Sequence, residues 1–223
     1  KMVKPWPHDA ERSFFHAADY TYFGTHFHRE MFLRNLSIEP QYHSKAVVSG
    51  QPHGAILKAM AEVKRPQERQ FEVVWPHRYN EDKQPEIAED LSNDFSVLIT
   101  KKQSLTKRAY YEALASSKVI FSCALHENLG ISIMEGVLLD VIPLVPDRCS
   151  YSEMYLDDFK YPSEWTSNWE NYTLYKPHLL DRLNNILEDP TAYADAMAQQ
   201  REILQHNYLS ADTMVSFLTG SSK

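Results

Sequence analysis

The chain has 223 residues, 43% of them hydrophobic, with 23 Lys and Arg against 30 Asp and Glu and a formal net charge of -7. That is apolar material for one large domain, or one domain and part of another, and the acidic balance argues against a polyanion-coating protein, whose non-specific affinity comes from Lys and Arg neutralising phosphates. Cys123 and Cys149 are too few for a disulfide framework, no apolar run approaches the ~20 residues that cross a bilayer, and no signal peptide precedes Lys1. The expectation is a cytoplasmic protein without a membrane span.

Short apolar runs alternate with helical periodicity along the chain. The runs at 19–24 (DYTYFG), 45–50 (KAVVSG), 71–75 (FEVVW), 95–100 (FSVLIT), 118–123 (KVIFSC) and 141–146 (VIPLVP) predict buried strands, and the segments near 26–35, 54–63, 85–91, 106–116 and 129–139 predict helices. Parallel strands need crossover connections, so this alternation predicts an α/β fold with a Rossmann-like parallel sheet. After Pro146 comes a Tyr- and Trp-rich irregular stretch, then helical patterns near 177–188, 190–206 and 210–219, with Pro190 suited to a first helical turn. A seam between structural units is expected at SGQPHG, 49–54.

In a doubly wound sheet, ligands bind beyond the carboxyl ends of the strands. The strand KVIFSC ends at such a place, and the loop ALHEN leads to Gly130 at the start of a helix, whose free N–H groups and dipole form an anion site. Glu127 then lies in the loop, and Glu135 about two turns inside the helix. The Glu–Glu spacing carries nothing by itself; the order strand, His-Glu-Asn, Gly-started helix, apolar strand carries the reading. A second element, VVWPHRYNEDKQPE, puts Arg78 and Lys83 after another strand, with Pro85 placed to open the next helix. Two cations there can neutralise a diphosphate and the charge that grows on it as a glycosyl bond breaks. The bland alternatives are solvated carboxylates on the helix and a solvated Arg/Lys pair in an acidic loop.

Together these segments resemble the donor-binding domain of retaining glycosyltransferases with the GT-B fold, of the family four or group 1 type. The match rests on Arg78 with Lys83, on Glu127 with Glu135 inside HENLGISIMEG, and on HAADYTYFGTHFHREMFL, YYEALASSKVIFSCALHE and YSEMY. The wording WPHRYNEDKQPE with YSEM is most similar to the subgroup that mannosylates queuosine in tRNA. The resemblance implies that Arg78 and Lys83 hold the donor diphosphate, Glu127 contacts the sugar and Glu135 the ribose, with His126, Asn128, Leu129, Gly130 and Ile131 completing the donor site. It implies a GDP- or UDP-hexose donor, retention of anomeric configuration, and no metal or further cofactor.

It also implies residues 1–50 as the tail of an N-terminal acceptor domain, 51–206 as the C-terminal nucleotide-sugar-binding domain and 207–223 as a closing C-terminal helix, with a partner segment supplying the rest of the N-terminal domain. Between FSVLITKK and QSLTKRAYYEAL the family usually places another helix and strand that this sequence lacks. Queuosine in tRNA, a hydroxymethylated base in phage-type DNA, a lipid and a small molecule all stay open as acceptors. Two other readings are kept: a donor-binding fragment or split subunit inactive alone, and a GT-B-fold nucleotide-sugar epimerase.

His26 and His28 lack further ligands at metal-binding spacing and read as surface or interdomain residues. Asp157 and Asp158 read as a charged turn; Trp165, Trp169, Tyr172 and Tyr175 read as cover for the domain edge, with stacking on an acceptor base as the other option.

Overall fold

The computed structural model describes residues 8–220. Residues 1–7 and 221–223, the outer ends of the two terminal units drawn from the sequence, lie outside the described residues. In chain order the elements are α1 (His8–Ala17), β1 (Thr21–Phe23), α2 (His26–Asn35), β2 (Ala46–Val48), α3 (Gly54–Ala61), β3 (Phe71–Trp75), α4 (Pro85–Leu91), β4 (Val97–Ile99), α5 (Lys107–Ala115), β5 (Ser117–Phe121) and α6 (Ile131–Leu138). They continue with β6 (Ile142–Pro146), α7 (Tyr151–Met154), β7 (Lys160–Tyr161), α8 (Trp169–Glu188), α9 (Ala194–Ile203), one π-helical turn (Leu204–Leu209) and α10 (Asp212–Leu218).

The fold is α/β, as the alternation predicts. Five strands form an all-parallel sheet in the order β4-β3-β5-β6-β7. Its central strands carry continuous apolar runs because both faces are covered: Val73, Val74, Trp75, Val119, Ile120, Phe121, Leu144 and Val145 are all buried. The chain steps from β3 outward to β4, then returns to the other side of β3 as β5. The sheet therefore reverses its winding between β3 and β5, and a crevice opens beyond their carboxyl ends.

A second, two-stranded parallel sheet pairs β1 with β2, Tyr22 opposite Val47, over its own small core of Phe15, Phe23, Leu33, Leu36, Ile38 and Ala46. The two units meet through directed bonds. The Thr25 hydroxyl, fully buried, caps α2 by accepting from His28 N at 3.1 Å and donates to Asn128 O at 2.8 Å. Glu153, in α7, caps the same helix from the other unit, accepting Phe27 N at 2.8 Å and His26 N at 3.1 Å. The chain crosses between the units at 49–51 and returns near 207–209, where Gln51 N donates to Tyr208 O at 2.7 Å; a Cβ on Gly50 would stand 2.7 Å from both Asn207 O and Tyr208 O. Phe217 of α10 packs edge-on against Tyr20, ring centroids 4.5 Å apart. Among the described residues no helix is long and apolar enough to cross a membrane.

The helix read from Pro177 begins earlier, at Trp169, with Asn168 as N-cap accepting from Asn171 N at 2.8 Å and Pro177 in its interior. Tertiary contacts hold its first half down: Tyr172 donates to Asp90 at 2.7 Å, and Lys176 lies 2.6 Å from Asp90 and 2.8 Å from Asp94. These outweigh the hydrogen bond that Pro177 cannot make. The helix α1 and the two-residue strand β7 carry no sequence expectation of their own.

Candidate active site

The crevice at the switch point is built from the segments that follow β3 and β5. After Trp75 the chain runs through Pro76, His77 and Arg78 to a 3-10 turn at Glu81–Lys83; after Phe121 it runs through Ser122 to the mouth of α6. Gln84 joins the two. It is buried in left-handed backbone, φ 52°, and its side-chain amide donates to Cys123 O at 2.5 Å and Thr166 O at 2.7 Å. Two buried carbonyl bonds hold that conformation against a cost of order 1–3 kcal/mol.

Lys83, 7% exposed, reaches from the first segment into the second. Its ammonium lies 3.2 Å from Glu127 Oε2 and 3.2 Å from Asp82 Oδ2, and it donates to His126 O. Burial pushes the Asp82 carboxyl up, but the hydrogen bond and charge of Lys83, then the charge of Arg78, outweigh it and hold the group below its usual value. Arg78 is exposed and forms no ion pair among the described residues.

Gly130 is the N-cap of α6 at φ +69°, and a Cβ there would lie 2.6 Å from the Tyr151 ring. Its glycine is set by backbone and packing. The amides of Leu129, Gly130, Ile131 and Ser132 find no acceptor among the described residues, so the helix mouth offers donors where the dipole favours negative charge.

Beneath Arg78 lies His77, 5% exposed, with Nε2 2.9 Å from Ser122 Oγ, which also takes a bond from Tyr151 OH at 3.2 Å. Burial, then the charge of Lys83, lower its pKa to about 3, so the ring is neutral near pH 7.

Three cavities run in a row along this crevice. The middle one, about 360 Å³, is bounded by Arg78, Lys83, Glu127, Gly130 and Ser132. Arg78 is shared with a neighbour of about 390 Å³ bounded by Thr100, Lys101, Gln103, Lys107 and Tyr110. Glu127 is shared with a third, about 360 Å³, that opens toward Phe27, His28, Met31 and Asn35 of α2 and contains His126. Burial holds the His28 ring below its usual pKa. The residues singled out from the sequence, Arg78, Lys83, His126, Glu127, Asn128, Leu129, Gly130 and Ile131, all border these cavities.

Glu135 borders none of the three. It is 3% exposed, its Oε1 taken by Lys107 at 2.7 Å and Tyr111 at 3.1 Å, so Lys107 stands between it and the outer cavity. No group of three or more His, Cys, Asp or Glu among the described residues is disposed to hold a metal ion. Asp157 pairs with Lys160 at 2.8 Å in a 3-10 turn, and Trp165 stacks between Tyr161 and Tyr175 at 6.0 and 6.3 Å.

Sequence reading missed His77, Lys107 and Glu153. His77 had a signal, adjacency to Arg78 at a strand end; Glu153 had none, because its partner amides lie 126 and 127 residues away.

No family model matches the sequence. Among curated proteins the chain is 24% identical over 178 residues to the tRNA-queuosine alpha-mannosyltransferase of Drosophila melanogaster, covering 66% of this chain and 44% of that protein. Among solved structures it superimposes on TarM with a TM-score of 0.63 at 14% identity, over 95% of this chain and 45% of TarM. It superimposes on Anabaena HepE, solved with UDP and glucose, with a TM-score of 0.63 at 13% identity, over 100% of this chain and 70% of that one. Sucrose-phosphate synthase from Thermosynechococcus elongatus gives 0.63 at 13% identity, over 96% and 62%. The fold is of the GT-B type. The five-stranded and the two-stranded parallel sheets both fall within the match to HepE, which covers the whole of this chain. The chain spans less than half the length of the curated relative.

Proposed function

We propose that the chain is the donor-binding part of a retaining glycosyltransferase that takes a hexose from a nucleotide diphosphate sugar, of the family-four kind. The observation that carries the reading is the Lys83–Glu127 pair at the winding reversal, with Arg78 and the unpaired α6 amides on the same cavity. The row of cavities has the order such a donor needs: the sugar beside Glu127 and His126, the diphosphate between Arg78, Lys83 and the helix mouth, the nucleoside toward Lys107 and Tyr110. Cleavage of the anomeric C–O bond leaves its electron pair on the β-phosphate, and the two cations and the aligned amides oppose that growing charge without reorganising. Glu127, oriented by Lys83, accepts from a sugar hydroxyl. Glu135 reaches a ribose hydroxyl once Lys107 turns aside toward the phosphate.

The acceptor we infer is queuosine in tRNA, by likeness to the Drosophila melanogaster enzyme, which makes the working compartment the cytoplasm. Calorimetric titration with GDP, UDP and their hexose conjugates tests the donor half: micromolar binding of one nucleotide, lost in Arg78→Ala, is expected. In a turnover assay with the matched donor, Arg78→Ala or Lys83→Ala lowers kcat by about 10²–10³, the cost of removing one charge-stabilising donor; an Arg78→Ala, Glu127→Ala double variant that remains active overturns the reading. A second reading is that the chain binds donor yet transfers nothing without a further segment, favoured by its spanning 44% of the curated relative. Turnover by the isolated chain excludes it.

A further inference from the structure

A cavity of about 670 Å³ lies at the amino-terminal end of the sheet, opposite the crevice. Arg69 precedes β3, Lys118 opens β5, Asp140 precedes β6 and Arg201 comes from α9, so one strand length, ~17 Å, separates this cavity from the helix mouth. Its volume falls within the range of small-molecule sites.

The walls divide by chemistry. Ile142 and Met197, both buried, form an apolar floor with Pro190 and Ala194 beside them. The rim is cationic. Asp140, in left-handed backbone at φ 63°, is bonded by the side chains of Arg65 and Arg201, while its carbonyl accepts from Arg69 at 2.7 Å. Lys118 forms no hydrogen bond or ion pair through its ammonium among the described residues. Three cations, Arg69, Lys118 and Arg201, thus line the cavity with two carboxylates, Asp140 and Glu68, and Arg65 holds Asp140 from outside it, so the rim is net positive in a chain whose net charge is -7. Burial first, and repulsion by Arg65 second, lower the pKa of Arg69. The three arginines are fixed on the Asp140 turn, which leaves Lys118 to close on an incoming anion.

We propose that this cavity binds a phosphate monoester on an apolar body, the dianion set between Lys118, Arg69 and Arg201 and the body laid on Met197 and Ile142. The unpaired Lys118 ammonium and the two arginines offer the headgroup charged donors, and the floor accounts for the apolar part. This site is independent of the proposed donor site.

Phenyl phosphate is the probe, titrated into the whole chain while the methyl resonances of Met197, Ile142 and Ile131 are followed by NMR. Expected is a saturable shift of Met197 and Ile142 that persists in Arg78→Ala and weakens with added salt. Affinity falls about tenfold in Lys118→Ala, the effect of one charged hydrogen bond, at an unchanged thermal midpoint. Absence of a saturable shift, the same affinity in Lys118→Ala, or equal affinity for inorganic phosphate overturns the proposal. Shifts confined to Ile131 and lost in Arg78→Ala place the probe in the crevice and overturn it as well.

Discussion

Single residues set the crevice's shape, and Gly130 does so for two separate reasons. Its backbone is left-handed at φ +69°, and Tyr151 fills the place of a Cβ. Gly130→Ala is expected to cost about 1–3 kcal/mol from strain and overpacking, read as a lower urea midpoint, together with weaker donor binding as the α6 amides shift. His77 gives a pH signature. Its pKa falls from 6.5 to about 3 on folding, so the unfolded chain takes up a proton below about pH 6.5 that the folded chain refuses. Stability is full above that value and declines as pH falls toward 3, at up to ~1.4 kcal/mol per pH unit. His77→Gln, which keeps a partner for Ser122, is expected to flatten the urea midpoint between pH 6.5 and 5; an unchanged slope overturns this. Arg78, Lys83, Glu127 and Gly130 were legible because strand ends and a helix start punctuate the sequence around them. The covering of Glu135 was not, since Lys107 stands 28 residues away and only the packing of α5 on α6 brings them together.

Elements were legible where local signals agree with tertiary demand. The helices at 26–35 and 85–91 have the bounds expected of them, one opened by the Thr25 cap and the other by Pro85. The start of α8 was not legible, because Pro177 looks like a helix opening until Tyr172 and Lys176 are seen bound to α4. The seating of α6 on β5 was equally hidden. Gly136 faces Ile120 so closely that a Cβ would lie 2.5 Å from Ile120 Cδ1 and 3.0 Å from its Cγ2. Gly136→Ala gains about 1 kcal/mol of helix propensity and loses about 1–3 kcal/mol by overpacking. A net fall in thermal midpoint is expected, with added mobility at the amides of 129–132; an unchanged or raised midpoint means that Ile120 yields freely.

At the scale of the molecule, the α/β class and the parallel sheet followed from alternation alone, while the joining of the units did not. Glu153 binds two amides at the start of α2, and its turn is tied to the crevice because Ser150 N donates to Glu127 O at 3.3 Å. Glu153→Ala leaves two helix-end amides without acceptors and is expected to cost about 1–2 kcal/mol, the range of lost caps. Hydrogen exchange at Phe27 and His26 should quicken while β3 and β5 stay protected; uniform exchange throughout would mean that α2 is not held from the other unit. The chain passes between the units twice, and the passages lie against each other at Gly50 and Tyr208. The joint between the units is therefore a paired one, and any side chain larger than hydrogen at Gly50 would force the two threads apart.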